Sequence, residues 1–517
     1  MASASPSSRL TQMPVELLLR ITYYLTTPEL GYVRLTCKAL EKSLFNFFSH
    51  EFFRKRQFMV LERSLQTLVD ISKHQALSPF LRHVIIATDQ VEHPVFGGSE
   101  DQLWCLEMAH ADQTALLTTG TARDMLAEAF RHLPNLETID LRDFNSNTRN
   151  RDGSRWMSYG ATTLQRETGH ATKMWQGTAG NRLAYPSELY AIVVSALAAS
   201  GLQPPNLEVV LRQQQWGISD NAMAIPKAME PSLAPVLAGL KKLHLTLDLK
   251  VDRPNPISNI AGIKINNSPF TRAFLSHCPN VTWLRLNFRG QDMAGPGHPN
   301  LDFLDWLGTP VPDALASSAT PNDNNRNPPP VALASLEKLD FGFLSVDVPL
   351  ILRIVKKFTP TLKALTLYKI ILQASTLAAS DPDSDKLTNL WERLFKGLSR
   401  ATQRGLSLHH LNVAQMSQRE ARAQTHHSWT PPETVWFQNS ENATKEFGRE
   451  HTGEIEMVKF IEGLVSHVQV ATSNLPLQAS DEEDEDDEEE FDEDEDDEMD
   501  VDQDDDDGNG EDDENGD

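Results

Sequence analysis

A six-residue pattern, apolar-x-x-apolar-x-apolar, recurs along this chain and limits its fold more than any other feature. It reads LRHVII at 81–86, LETIDL at 136–141, LKKLHL at 240–245, VTWLRL at 281–286, LEKLDF at 336–341, LKALTL at 362–367 and LHHLNV at 408–413. A degenerate copy, LEVVLR, starts at Leu207. Alternation over the last three positions puts two apolar side chains on one face of a short strand. Five units carry a proline two residues before the first apolar position: Pro79, Pro134, Pro205, Pro279 and Pro360. Proline there ends an incoming helix and biases the chain toward extended geometry. Helical stretches do precede several units, among them ARDMLAEAFRHL, SELYAIVVSALAAS, TRAFLSHC and LILRIVKKF. Each unit therefore reads as helix, proline stop, short strand.

That is the sequence form of a leucine-rich-repeat solenoid, with strands lining one face and helices the other. The steps between units run from 26 to 71 residues, against roughly 20–29 in regular repeats. The Asn or Cys that normally closes the motif is absent: Phe144, Asp248, Arg289, Leu344, Ile370 and Met416 stand there. The expected fold class is α/β: a small N-terminal helical module, an irregular leucine-rich-repeat-like solenoid with large insertions, and a disordered acidic C-terminal tail. An ordinary α/β domain with several amphipathic strands is the alternative. The expected layout is a disordered lead at 1–9, a helical module at 10–60, a recognition domain at 61–475 with loops at 145–182, 290–332 and 415–452, and a tail at 476–517.

The opening stretch TQMPVELLLRITYYLTTPELGYVRLTCKAL, residues 11–40, carries unusual apolar content for its length. Pro14 suits a first helical position, and Glu16 complements the helix dipole. Leu17, Ile21 and Leu25 form one stripe, with Val15, Leu18 and Leu19 beside it. A second helix restarts with Thr27 as cap, Pro28 and Glu29, and its stripe is expected to run Leu30, Val33, Cys37, Leu40. SLFNFFSHEFFRKRQF follows as an expected third helix. A helix apolar nearly all round needs cover on more than one side, which so few residues cannot supply.

These residues resemble the F-box, whose usual form runs Leu-Pro-x-Glu-Leu-Leu, then Ile, Leu, Asp-Leu and a closing Cys-Lys. Pro14, Glu16, Leu17, Leu18, Ile21, Leu25, Leu30, Cys37 and Lys38 match, while Met13 and Glu29 depart from it. The whole chain also looks like fungal F-box proteins with long irregular repeat regions. The resemblance implies docking on the Skp-type adaptor of a cullin–RING (SCF-type) ubiquitin ligase through Pro14, Leu17, Leu18, Ile21, Leu25 and Leu30. Val33 and Leu40 would be shared between that interface and internal packing. It further implies a substrate receptor with no catalysis of its own, holding an unknown target protein with the repeats.

No Gly-rich phosphate loop, nucleophile elbow or metal-protease helix motif occurs, so neither catalytic residue nor cofactor is expected. The adjacent pairs His409–His410 and His426–His427 are expected to be surface or loop histidines and not a metal site, since sequence neighbours rarely face one ion. Three cysteines are too few for a disulfide framework. The opening MASASPSSRL lacks a signal-peptide layout, and no apolar run approaches a membrane span. A cytoplasmic or nuclear location without membrane or direct nucleic-acid binding is expected.

The net charge of −26 is concentrated at one end. Residues 481–517 hold 28 Asp and Glu and no Lys or Arg, leaving 45 acidic against 47 basic residues before them. Such a segment buries nothing and is expected to be disordered. It could engage basic proteins such as histones, and this supports a rival function as a non-enzymatic chaperone. Ser480, in LQASDEED, looks like a casein-kinase-type phosphorylation site. Within 145–182, Arg149, Arg151, Arg155, Arg166, Lys173 and Arg182 outnumber Asp152 and Glu167. They form a candidate basic loop for a phosphorylated target.

Overall fold

The computed structural model describes residues 9–91, 99–145, 157–174, 185–214, 216–249, 268–289, 299–311, 328–373, 389–419, 432–438, 444–453 and 456–471. The expected tail, with Ser480, lies outside these residues, as do Arg149, Arg151, Arg155, Arg182 and the His426–His427 pair.

The chain opens with three helices, α1 (Val15–Thr22), α2 (Thr27–Thr36) and α3 (Lys38–Phe53). The cap of α2 is Thr26, one residue earlier than the sequence suggests. Its hydroxyl accepts from the Glu29 amide, and the Glu29 carboxylate accepts from the Thr26 amide at 2.9 Å. Cys37 breaks the expected stripe: its extended backbone (φ −160°) separates α2 from α3, so Leu40 belongs to α3. The third helix also stops at Phe53.

The sheet begins immediately afterwards with β1 (Lys55–Met59), inside the span assigned to the N-terminal module. Then come α4 (Glu62–Lys73), β2 (His83–Ala87), α5 (Glu100–Thr119), α6 (Thr121–Arg131), β3 (Thr138–Arg142), α7 (Ala161–Thr168) and α8 (Tyr185–Ser200). They are followed by β4 (Asn206–Val210), β5 (Ile218–Ser219), α9 (Glu230–Gly239), β6 (Lys242–Asp248), α10 (Pro269–Ser276), β7 (Trp283–Phe288) and α11 (Pro299–Gly308). Next are β8 (Lys338–Asp347), α12 (Val348–Phe358), β9 (Ala364–Gln373), α13 (Leu390–Thr402), β10 (His410–Ala414) and β11 (Ser417–Arg419). The last elements are β12 (Glu433–Gln438), β13 (Lys445–Glu446), β14 (Gly448–Thr452), α14 (Met457–His467) and β15 (Val468–Val470).

Strands β1, β2, β3, β4, β6, β7, β8, β9 and β10 lie side by side in chain order, every neighbouring pair parallel. Parallel strands in sequence order with intervening helices are what a solenoid requires, and the chain is an irregular α/β solenoid of leucine-rich-repeat type. Consecutive coils are stapled at the strand entrance. The Lys241 carbonyl accepts from Thr282 and Trp283 amides at 2.8 and 3.0 Å, and the Thr282 carbonyl from Glu337 and Lys338 at 2.8 and 2.9 Å. The Glu337 and Lys363 carbonyls do the same for the next two coils.

The two alternating apolar positions of each unit point to the helix side and form the core. Val84 and Ile86, Ile139 and Leu141, Leu243 and Leu245, Leu284 and Leu286, Leu339 and Phe341, Leu365 and Leu367, Leu411 and Val413 are all buried. Each such side chain is worth about 1.5–3 kcal/mol of burial. Prolines 134, 279 and 360 lie just past the ends of α6, α10 and α12, as expected.

The degenerate copy needs a new frame. Leu207 pairs with Ile139 and Leu243, the fourth motif position, so Pro204 occupies the first and the unit is PPNLEV. Pro205 therefore lies inside the unit rather than before it. A ninth unit begins at Phe53: Arg56 pairs with Val84 and Phe58 with Ile86. Arg56 in an apolar position concealed it from a hydrophobic pattern.

Where a motif-closing Asn would stand, Leu344, Ile370 and Met416 are buried as an apolar row. The residues before them, Phe343, Lys369 and Gln415, share left-handed φ values of 55°, 51° and 50°. Aligned by register, these three bends carry β8, β9 and β11 onward past the usual end of the strand. The expected 415–452 loop instead contains β11 and the antiparallel strands β12–β14, which pack against the last parallel strands. Residues 299–308 of the expected 290–332 loop form α11.

Candidate functional site: an exposed apolar module and a charged sheet face

Two surfaces stand apart from the rest of the described residues. The first is the N-terminal module. Leu18 (3 % exposed), Leu30 (0 %) and Leu40 (3 %) join Leu44 and Phe52 in a core separate from that of the solenoid. Leu25 and Val33 pack against it, half-buried. Leu18, Leu30 and Leu40, expected among the docking residues, therefore face inward and set the helices' positions. Phe53 ties this core to the solenoid, being packed against both, and Arg34 lies 3.4 Å over the Phe48 ring.

The opposite sides of the same helices are apolar and open. Leu17 (49 %) and Ile21 (44 %) continue to Tyr24 (79 %) along α1 and just past it, and Pro14 is exposed at its start. On α2, Tyr32 (69 %) and Leu35 (83 %) lie at matching helical spacing from Pro28. Tyr24, Tyr32 and Leu35 were not singled out from sequence. The signal was the same i, i+4, i+7 spacing one helix face away from Leu30 and Val33. Isolated exposed apolar residues are ordinary, but stripes of this kind on two successive helices mark interaction surfaces.

The second surface is the sheet face turned away from the helices. Register places Asn206, Lys242, Trp283, Lys338 and Ala364 in one row across five strands, and Glu208, His244, Arg285, Asp340 and Thr366 in the next. Lys242 Nζ lies 4.1 Å and Lys338 Nζ 4.5 Å from the centre of the Trp283 ring. The indole Nε1–H donates to Asp340 Oδ2 at 2.7 Å, and Arg285 Nε approaches the same oxygen at 3.2 Å. Lys242 reaches Glu208 at 3.2 Å. Further along the face, buried Asp140 accepts from Arg142 and lies 3.4 Å from His83 Nε2. Desolvation pushes both His83 and His244 below the usual histidine range, with cationic neighbours adding to the effect at His244. At Asp140 the adjacent Arg142 and His83 outweigh burial and lower the carboxyl.

The candidate basic loop is only partly described. Arg166 is exposed on α7, and the Lys173 carbonyl accepts from the Gln90 amide at 2.9 Å. Residues 157–174 dock on the sheet through buried polar contacts instead of standing off as a loop. Buried Asp89 accepts from Ser158 and Thr172, and Thr88 donates to the Met174 carbonyl at 2.9 Å. Burial raises the Asp89 carboxyl above the usual carboxylate range. His409 and His410 sit at the entrance of β10, where His410 Nδ1 lies 3.1 Å from Thr452 Oγ1. Among the described residues no three His, Cys, Asp or Glu side chains gather as a metal site, and no helix is long and apolar enough to cross a membrane.

The sequence matches no family model and no curated protein. Among solved structures, the leucine-rich repeat-containing protein LegL7 from Legionella pneumophila is similar at 12 % identity, with 72 % of this chain and 94 % of that one covered and a TM-score of 0.26.

Proposed function

We propose that the chain is a substrate receptor of an SCF-type ubiquitin ligase, docking on a Skp-type adaptor through α1 and α2 and holding a target protein with the repeat region. The observation that carries this is the two-sided helical module: Leu18, Leu30 and Leu40 build its core while Leu17, Ile21, Tyr32 and Leu35 remain exposed. A partner covering those stripes buries apolar area that the chain itself leaves in water. The chain contributes no catalytic group. Adaptor and cullin bring activated ubiquitin close to the held target, raising its effective concentration at a target lysine.

The test is binding of purified full chain to a Skp-type adaptor, followed by gel filtration. A stable complex is expected, weakened about 100-fold or more by Leu17→Asp with Ile21→Asp. Both sites are exposed, so circular dichroism should show an unchanged fold. Wild-type affinity in that double variant, or no complex with the unmodified chain, overturns the reading.

A further inference from the structure

The row Lys242–Trp283–Lys338 has a charge pattern that the proposed target-holding role leaves unspecified. Its three members come from neighbouring strands in direct register, β6, β7 and β8. The carboxylates in the adjoining row are already engaged: Glu208 by Lys242, and Asp340 by Trp283 and Arg285. Lys338 is exposed, and its ammonium lies over the indole ring. An ammonium held beside an aromatic ring has lost little of its charge and is poised for an anion. Next to Trp283, at a ring separation of 4.8 Å, buried His244 has an Nε2 atom without a hydrogen-bond partner. A buried polar atom left unmatched is costly unless a ligand serves it.

We infer that this row binds an acidic, extended segment of a partner protein, whose carboxylates or phosphates pair with Lys242 and Lys338 across Trp283. The inference rests on the proposed role of the repeats in holding a target, and adaptor docking plays no part in it. A protein segment fits better than nucleic acid for two reasons. The indole lies between ammonium groups from the strands on either side, which denies a base the open ring face that stacking requires. The row offers two cationic points on either side of one indole, which suits spaced acidic side chains of a peptide better than a continuous phosphate backbone. Aromatic and cationic side chains together also form the usual energetic centre of protein interfaces.

The test pans a random dodecapeptide phage library against the full chain under reducing conditions. All arms use the full chain, so the acidic 481–517 segment is constant throughout. The selected pool should be enriched several-fold in Asp and Glu over the input, and Lys338→Glu should abolish the enrichment. Lys242→Met should reduce it without introducing a charge. Two results overturn the inference: a pool without acidic enrichment, or enrichment that both variants retain. A single-stranded RNA dodecamer that binds more tightly than the selected peptides, and is lost in the same variants, overturns it in favour of nucleic acid. Adaptor binding measured on these variants should be unchanged, while Leu17→Asp with Ile21→Asp should leave the acidic enrichment intact. Failure of the acidic-segment assignment and failure of adaptor docking are thereby read separately.

Discussion

Trp283 and Asp340, 57 residues apart in sequence, are joined by a 2.7 Å hydrogen bond between indole Nε1 and carboxylate Oδ2 across adjacent parallel strands. Asp340 is buried and shares that oxygen with Arg285. A hydrogen bond to a charged group contributes about 1.5–3 kcal/mol. Asp340→Ala should therefore lower unfolding free energy by about 2 kcal/mol or more in urea titration, because the Arg285 contact to the same oxygen is lost as well. Trp283→Phe, which keeps the ring and deletes the donor, should cost about 1 kcal/mol less than that. Equal stability of Asp340→Ala and wild type would show that the bond contributes nothing.

Acid should weaken the solenoid through its buried histidines. The folded-state pKa values of His83 and His244 are depressed mainly by desolvation. Both hold a proton less readily in the fold than unfolded, where histidine ionises near pH ~6.5. Their contribution is present above that pH and is lost as pH falls below it. Each histidine should make stability rise with pH below that value, by at most about 1.4 kcal/mol per pH unit. His244→Gln should flatten the stability profile between pH ~6.5 and the acid limb of the wild-type curve. An unchanged slope in that variant would mean that His244 protonates in the fold.

Asp89 should act in the opposite direction. Its folded pKa is raised by burial, so its contribution is present below the unfolded value of ~3.9 and is lost as pH rises through the folded value. Ser158 and Thr172 donate to the carboxyl and oppose the cost of burying its charged form. Asp89→Asn should remove that pH dependence while keeping an acceptor oxygen. Asp89→Ala should free residues 157–174, read as faster backbone hydrogen exchange there than in β3. Protection unchanged in Asp89→Ala would assign the docking to the remaining contacts from Gln57, Thr88, Gln90 and Gln214.

Two glycines separate close packing from open space. A Cβ on Gly217 would lie 2.7 Å from the Leu247 backbone nitrogen, where β5 meets β6. Backbone cannot yield as a side chain can, so Gly217→Ala should destabilise by about 2 kcal/mol or more. Gly463 in α14 has nothing within 4 Å of the same position. Gly463→Ala should stabilise by about 0.5–1 kcal/mol, through helix propensity and a less flexible unfolded chain. Thermal unfolding of the pair should move the two midpoints in opposite directions.

The parallel solenoid was legible from residues alone because its cause is local. Leu284 and Leu286 alternate, and so do Leu365 and Leu367, and period two forces such pairs onto one face wherever the strand lies. Pro134, Pro279 and Pro360 end their helices for an equally local reason, the missing amide and fixed φ. The exposed stripe of Leu17 and Ile21 was legible as apolar, but its side was not. Leu18 faces inward and Leu17 outward only because Leu30, Leu40 and Leu44 meet Leu18 in three dimensions. Arg56 hid the first strand and Pro204 shifted the frame at Leu207, since each stands where the pattern expects an apolar residue. The row Lys242–Trp283–Lys338 was decided by tertiary structure alone. Alternation tells which face a residue occupies, but cross-strand neighbours depend on how insertions of unequal length close each coil into register.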